Sequence, residues 1–444
     1  MKILVVSFED DNFGDNLIRI CFEKILASVL HNLKISDYVI RRMSLKRINE
    51  ELIKDSDMVF FAGGGLLGLS YLNFFEFLER ILEITEEHNI PVVFSSVGVN
   101  NMDSDDKDDR LRLLLDKKCI KAVSVRENVG FFRNYIENKE IEIREVCDPA
   151  VWTCFIYDEQ IRKVEANAPK GLVGINVVRG GLFKDNKRNW KLSDEMKYLS
   201  ELKEKLDEKN LDYRFYTNGS FLDNNTLRYF AKINEVPDEK IIYVHTTSEL
   251  VRSIASFESV YAIRMHSSII SYSLGKPCLN LIWNDKVPLF YRNIGREDQA
   301  VALNEWQTDR LVEKMEQICV KDNKPDTEYM MSLYNYLFDI MNKLTASEEC
   351  ERYTFEEIRE ILKADTVSVE EDIRDYQVKL DKGEKKYLGR FIYIKDLDKE
   401  MKDLKKVIEK QKQQLERLND LLVIKVGRKM KSFMRKTKET KVNE

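Results

Sequence analysis

The sequence predicts an α/β protein made of two consecutive doubly wound parallel sheets, followed by a helical and coiled-coil extension. Three observations carry this. Short apolar runs alternate with amphipathic stretches of helix length from the N-terminus. The pattern restarts near residue 171. After about residue 300 the strand-like runs stop and a heptad repeat takes over.

The first set of runs is Lys2–Ser7, Tyr38–Arg41, Met58–Ala62, Pro91–Ser96, Lys121–Val125 and Ile143–Cys147. The segments between them, such as 71–87 and 128–138, place apolar residues at steps of three and four, as helices do. Residues 155–170 are polar, lead into Pro169-Lys170-Gly171, and read as a linker. The second set is Leu172–Val178, Tyr213–Tyr216, Ile241–Val244, Val260–Ile263 and Pro277–Ile282. Residues 303–365 read as helical, with a break at Lys321–Pro325. Ile394, Leu397, Met401, Leu404, Ile408, Gln411, Leu415, Leu418 and Leu422 then form a coiled-coil seam. The chain thus divides into domains at 1–155 and 165–305, a helical region at 306–393, a coiled coil at 394–422 and a basic tail at 423–444.

Composition excludes several classes. Of 444 residues, 43% are apolar and 34% charged, and only 17 Gly and 7 Pro occur, which argues against a disordered or fibrous chain. The seven cysteines include no CxxC, so neither a disulfide framework nor a zinc knuckle is indicated, and a reducing cytoplasm is expected. The opening MKILVVS reads as a strand, not a secretion signal, and no run of 18 apolar residues spans a membrane. A net charge of −5 gives no bulk attraction to nucleic acid. Residues 425–444 hold eight basic and two acidic residues, so the remaining 424 residues carry −11.

Ligands of doubly wound sheets bind beyond the carboxyl ends of the strands, so the residues after each run are the candidates. Arg126 and Arg264 stand at such ends. Each is read either as a grip on an anionic ligand or as half of an internal ion pair, for Arg126 with Glu127 or Asp148. His266 follows Arg264 by two residues at the turn into a helix over Ser267–Leu274 and is a candidate proton donor or a helix cap; His245 is its rival. Lys286 is a further cation or a solvated loop lysine. Gly63-Gly64-Gly65-Leu66-Leu67-Gly68 matches G-x-G-x-x-G but follows the third run, and the next run ends in Ser95-Ser96 rather than an acid. That favours a tight turn, or backbone N–H groups near an anionic or sugar ligand, over a dinucleotide site. No metal-ligand spacing is present.

Taken together, Phe13-Gly14-Asp15-Asn16, Phe61-Ala62-Gly63-Gly64-Gly65, Val123-Ser124-Val125-Arg126-Glu127, Asp148-Pro149, the segment Ala262–Pro277 with its Arg-x-His, and Asp285-Lys286 resemble the polysaccharide pyruvyl transferase family over about residues 1–300. The resemblance implies two Rossmann-like domains facing across a cleft, as in the GT-B fold. It implies transfer of pyruvate from phosphoenolpyruvate to a sugar, leaving a ketal, with no cofactor. It implies Arg126 and Arg264 as donor-binding residues and His266 as general acid, with Asp15 and Gly63–Gly65 carried over more loosely. The donor needs cations, an acid and a base; Asp15 or Asp148 would serve as base, although Asp148 before a proline is also a turn former. A GT-B glycosyltransferase is the alternative, opposed by Glu249 and Glu258 standing nine residues apart rather than eight. A non-catalytic coiled-coil scaffold is a third reading.

The heptad seam predicts a parallel homodimer or higher oligomer, with a helix folded back on its own domains as the alternative. In the tail, Leu422, Val426, Met430, Phe433 and Met434 form one apolar stripe among Lys425, Arg428, Lys429 and Lys431. Such a helix suits an anionic membrane surface, where a lipid-linked saccharide acceptor would be presented; a solvated basic end is the alternative.

Overall fold

The computed structural model describes residues 1–9, 11–68, 72–100, 111–133, 136, 141–346, 350–365, 367, 368 and 370–380, together with 406, 409–411 and 413. Met1–Lys379 form one compact unit and Leu380–Glu444 a second. Most of the heptad segment and all of the basic tail lie outside the described residues.

The first sheet holds β1 (Lys2–Ser7), β2 (Val39–Ser44), β3 (Met58–Ala62), β5 (Val92–Val97), β7 (Ile120–Val125) and β8 (Glu142–Glu145), in the order β2-β1-β3-β5-β7-β8. Between them, β4 (Leu67–Gly68) and β6 (Val99–Asn100) pair as a separate small ladder. The second sheet holds β9 (Val173–Asn176), β10 (Tyr213–Tyr216), β11 (Ile241–Ile242), β12 (Ser259–Ala262), β13 (Cys278–Leu281) and β14 (Ala300–Val301), in the order β11-β10-β9-β12-β13-β14. Every pairing is parallel. Parallel strands covered on both faces must be apolar throughout, which is why the central strands were legible as runs.

The edges differ from expectation. The expected Tyr38–Arg41 forms at Val39–Ser44, and Ile143–Cys147 at Glu142–Glu145. Both are half-exposed edge strands rich in charge, so an apolar run does not mark their bounds. The two-residue β14 is too short to show a pattern. The expected linker at 155–170 is largely helical, with helices at Thr153–Ile156 and Asp158–Glu165; the second buries only Ile161, so its periodicity is faint.

Three cores follow from strand alternation. Ile3 and Val5 face a central cluster, while Leu4 and Val6 face an outer one. Val260 and Ala262 face the same central cluster, while Tyr261 and Ile263 face the outer core of the second sheet. The central cluster therefore joins both sheets. It includes α1 (Phe13–Asn32), which is buried nearly all round; its buried Arg19 is paired with Glu23 and Glu371.

The second sheet is flanked by α2 (Leu192–Glu208), α3 (Phe221–Ile233), α4 (Thr247–Ser256), α5 (Met265–Ser273) and α6 (Lys286–Asn293). The chain then returns to the first domain through α7 (Thr327–Thr345). Tyr336 Oη of α7 donates to the Phe94 carbonyl at 3.1 Å, and Trp152 Nε1 donates to the Met330 carbonyl at 3.0 Å. After α8 (Phe355–Ala364), residues 370–380 are helical.

Candidate active site

The strand order reverses between β1 and β3 in the first sheet and between β9 and β12 in the second. Crevices open at such reversals, beyond the carboxyl ends of the strands. Asp11–Asn16 and Gly63–Gly65 follow the strands at the first reversal; Arg179 and Arg264–His266 follow those at the second.

The two loop sets touch. Phe13 N donates to the Asn218 carbonyl at 2.9 Å, and Phe221 N, at the start of α3, donates to Asp11 Oδ2 at 2.7 Å. Gly219 between them lies at φ +98°, and a Cβ there would stand 2.2 Å from the Phe13 ring. Asn218 Oδ1 accepts from Ser267 Oγ at 2.8 Å and Asn176 Nδ2 at 3.0 Å, while Asn176 Oδ1 accepts from Arg264 N at 2.9 Å. These bonds set the first turn of α5.

That turn carries His266 against Gly14, where an added Cβ would lie 2.4 Å from Nδ1. His266 is 6% exposed; its Nε2 has no hydrogen-bond partner and lies 4.0 Å from Asp148 Oδ2. Burial lowers the His266 pKa. Asp15 and Asp148 oppose the shift, and Arg126 and Lys286 add to it.

Asp148 caps the short turn Pro149–Trp152, with Oδ1 accepting from Ala150 N at 2.9 Å, and its Oδ2 accepts from Arg126 Nη1. Arg126 Nε lies 3.0 Å from Glu127 Oε2. Burial alone would lower the Arg126 pKa; Glu127 and Asp148 reverse this and raise it. Gly98 leaves room for the guanidinium, since a Cβ there would stand 2.7 Å from Nη2. Lys286, the first residue of α6, is buried, and its pKa is pulled down to about 8 by burial and by Arg126, against Glu127, Asp15 and Asp148.

Arg264 forms a bidentate pair with the fully buried Asp223, Nη2 to Oδ1 at 2.7 Å and Nε to Oδ2 at 3.0 Å. Behind Asp223, the carboxyl of Glu195 is pushed up to about 8 by burial and by the Asp223 charge. Asp15 is the common neighbour. Its charge acts on Arg126, Arg264, His266 and Lys286 alike, and Asn12 Nδ2 holds its Oδ2 at 3.0 Å.

The fold therefore brings together Asp15, Arg126, His266 and Lys286, with Arg264 beside them. Both arginines have internal carboxylate partners. Gly63 and Gly64 adopt φ +57° and +74°, and a Cβ on Gly63 would lie 2.3 Å from Ile18, so close packing on α1 accounts for Gly63; Gly65 completes the turn. His245 is placed apart: its ring stacks on Tyr376, its backbone N donates to Glu249 Oε2 at 2.7 Å, and burial and Lys379 lower its pKa.

The sequence shows Gly14 within a motif and Asn218 after a strand but assigns neither a role, and it does not single out Asn176 or Asp223. Their only signal was position after a strand or in the first turn of a helix. No group of three or more His, Cys, Asp or Glu among the described residues is arranged to hold a metal ion. No helix among the described residues is long and apolar enough to cross a membrane.

A family model described as polysaccharide pyruvyl transferase matches residues 12–285, which takes in every residue of this cluster except Lys286. No curated protein matches the sequence. Among solved structures, the UDP-GlcNAc 2-epimerase from Methanocaldococcus jannaschii superposes with a TM-score of 0.51 at 11% identity, covering 77% of this chain and 99% of that one. An S. aureus MnaA–UDP complex gives 0.50 at 10% identity, covering 80% and 100%. At such identities the likeness is one of fold, the GT-B-like pair of parallel-sheet domains.

Proposed function

Because the chain belongs to the polysaccharide pyruvyl transferase family, we propose that it transfers the pyruvyl group of phosphoenolpyruvate to two hydroxyls of a saccharide. One observation carries this reading. Arg126 and Asp148 from the first domain meet His266 and Lys286 from the second at the strand ends, with Asp15 acting on all three basic groups.

The donor is an enol phosphate with a carboxylate, so cations must hold it; Arg126, Arg264 and Lys286 are the groups at hand. Imidazolium His266 gives its proton to the donor CH₂ carbon, and C2 becomes an oxocarbenium-like electrophile. One sugar hydroxyl adds to C2 and loses its proton, phosphate departs, and the second hydroxyl closes the ketal. Two protons leave the hydroxyls: one balances the new methyl group and the other leaves with phosphate. Both Asp148 oxygens are engaged, by Ala150 N and Arg126. Asp15 is therefore the candidate base. A placed acid contributes roughly 10²–10⁴ in rate.

The acceptor is a polysaccharide unit or lipid-linked oligosaccharide. The basic tail would hold the protein at an anionic membrane surface, and the heptad segment would make it oligomeric.

The test is phosphate release from phosphoenolpyruvate in the presence of lipid-linked saccharide acceptors. His266→Ala is expected to bind donor but lose most turnover, and His245→Ala to lose less. The reverse order rejects the assignment of the acid. Consumption of a nucleotide sugar without phosphate release from phosphoenolpyruvate rejects the reading as a whole.

A further inference from the structure

The helical segment 370–380 presents Glu371, Asp375 and Lys379 at steps of four, hence on one face. Each has partners in the body of the protein. Glu371 Oε2 lies 2.7 Å from Arg19 Nη2 of α1 and also pairs with Arg42 of β2. Asp375, only 1% exposed, takes one donor from each domain: Asn16 Nδ2 on Oδ1 at 2.8 Å, and Thr247 N on Oδ2 at 2.6 Å. Thr247 is the first residue of α4, whose terminal N–H groups have no partner within the helix and favour an anion. Lys379 donates to the Val244 carbonyl of the second domain, and its ammonium stands 5.5 Å from the Phe13 ring centroid of the first. Arg374 adds a pair with Glu9, two residues beyond β1.

Phe13 and Asn16 flank Gly14 and Asp15, so this helix grips the first turn of α1, which carries the site's carboxylate and touches His266. We infer that Asp375, supported by Glu371 and Lys379, is a positioning residue that clasps the two domains in register, fixing the first turn of α1 against the first turn of α5. A site assembled from two domains needs such a constraint, because a displacement near 1 Å at the reacting groups can cost about 10²-fold in rate. Removing one partner of a buried charge-assisted bond also leaves the other unsatisfied.

The chain has four histidines, 31, 88, 245 and 266, which serve as separate probes in ¹⁵N-histidine NMR of the full-length protein. Asp375→Asn keeps the shape but turns an N–H₂ toward a donor. Lys379→Met keeps the stem but loses the bond to Val244. In both, the His266 ring resonances are expected to shift or broaden, His245 to shift because its own neighbours change, and His31 and His88 to stay in place. Ile373→Ala, at an exposed position on the same helix, is expected to leave all four unchanged. In the transfer assay both clasp variants should lose turnover tenfold or more at unchanged fold by near-ultraviolet circular dichroism. If Asp375→Asn does not fold, Lys379→Met decides. Unmoved His266 resonances in a folded clasp variant would overturn the inference. The NMR readout needs no substrate, so it stands apart from the donor assignment.

Discussion

Gly14 and His266 are in such close contact that a Cβ on the glycine would lie 2.4 Å from the histidine Nδ1 and 2.5 Å from its Cβ and Cγ. The two residues are 252 positions apart, in the first turns of α1 and α5, which belong to different domains. The contact therefore records how closely the domains approach at the site. It also fixes the ring, since the backbone of the first turn of α1 forms one wall of the histidine pocket.

Gly14→Ala should displace the imidazole without removing any functional group. Turnover is expected to fall by about 10²-fold, as for a misplacement near 1 Å. Gly130→Ala, which meets nothing within 4 Å in the helix Val129–Arg133, is the control and should be neutral or slightly stabilising. Full activity in Gly14→Ala would show that the ring position is not critical.

Arg126→Ala should be a stability variant as well as a binding variant. Its side chain is 5% exposed, and those of Glu127 and Asp148 are 1% exposed, so the alanine removes the guanidinium from two buried ion pairs. Breaking such a pair costs about 3–5 kcal/mol. Urea denaturation should register this loss, and Arg126→Met combined with Glu127→Gln and Asp148→Asn should recover much of it. A loss well below 1 kcal/mol would mean that the pairs are solvated.

Lys286 ties stability to pH in a defined window. The unfolded lysine holds its proton up to about 10.5, whereas the folded one releases it near 8. Between those values the unfolded chain binds more protons, so stability rises with pH across that interval, and the cost of burying the charged lysine is fully present below it. Lys286→Met should be more stable than the parent at pH 7 and should lack the rise. Donor affinity in the parent should decline as pH passes through 8, because the site loses a cation. Identical pH–stability curves for the two proteins would contradict the burial of this charge.

Donor binding should take up protons near neutral pH. Burial lowers the His266 pKa and so favours the neutral imidazole in the free protein. An anionic donor favours its charged form and raises its pKa. Calorimetry in two buffers of different ionisation enthalpy should show uptake of up to one proton in the parent and less in His266→Ala. Zero uptake or net release would show that the histidine does not respond to the donor.

Truncation after residue 393 retains the clasp and removes the heptads and basic tail. The shortened protein should be monomeric by light scattering and active on soluble donor. Full-length protein should float with anionic liposomes, whereas one ending at residue 420 should not. An unchanged oligomeric mass after truncation would place the subunit contacts elsewhere. Equal flotation of both proteins, or of neither at low salt, would remove the anchor.

The sequence by itself determined the two parallel sheets and what stands at their ends. Strands such as Met58–Ala62 and Ser259–Ala262 are covered on both faces, and burial on both faces writes itself into a local run of apolar residues. The two-residue spacing of Arg264 and His266 was legible for the same local reason. Tertiary structure alone decided which groups meet. Arg126 is claimed by Asp148, 22 positions on; Gly14 is set against His266; Asp375 is bound to Asn16, 359 positions away. These contacts leave no periodic trace, because they depend on how two domains dock, and docking is fixed by shape and burial at sites far apart in the chain. The same holds for the clasp. Glu371, Asp375 and Lys379 show helical spacing in the sequence, but charged residues at steps of four describe a solvated face until a second surface is found to cover them.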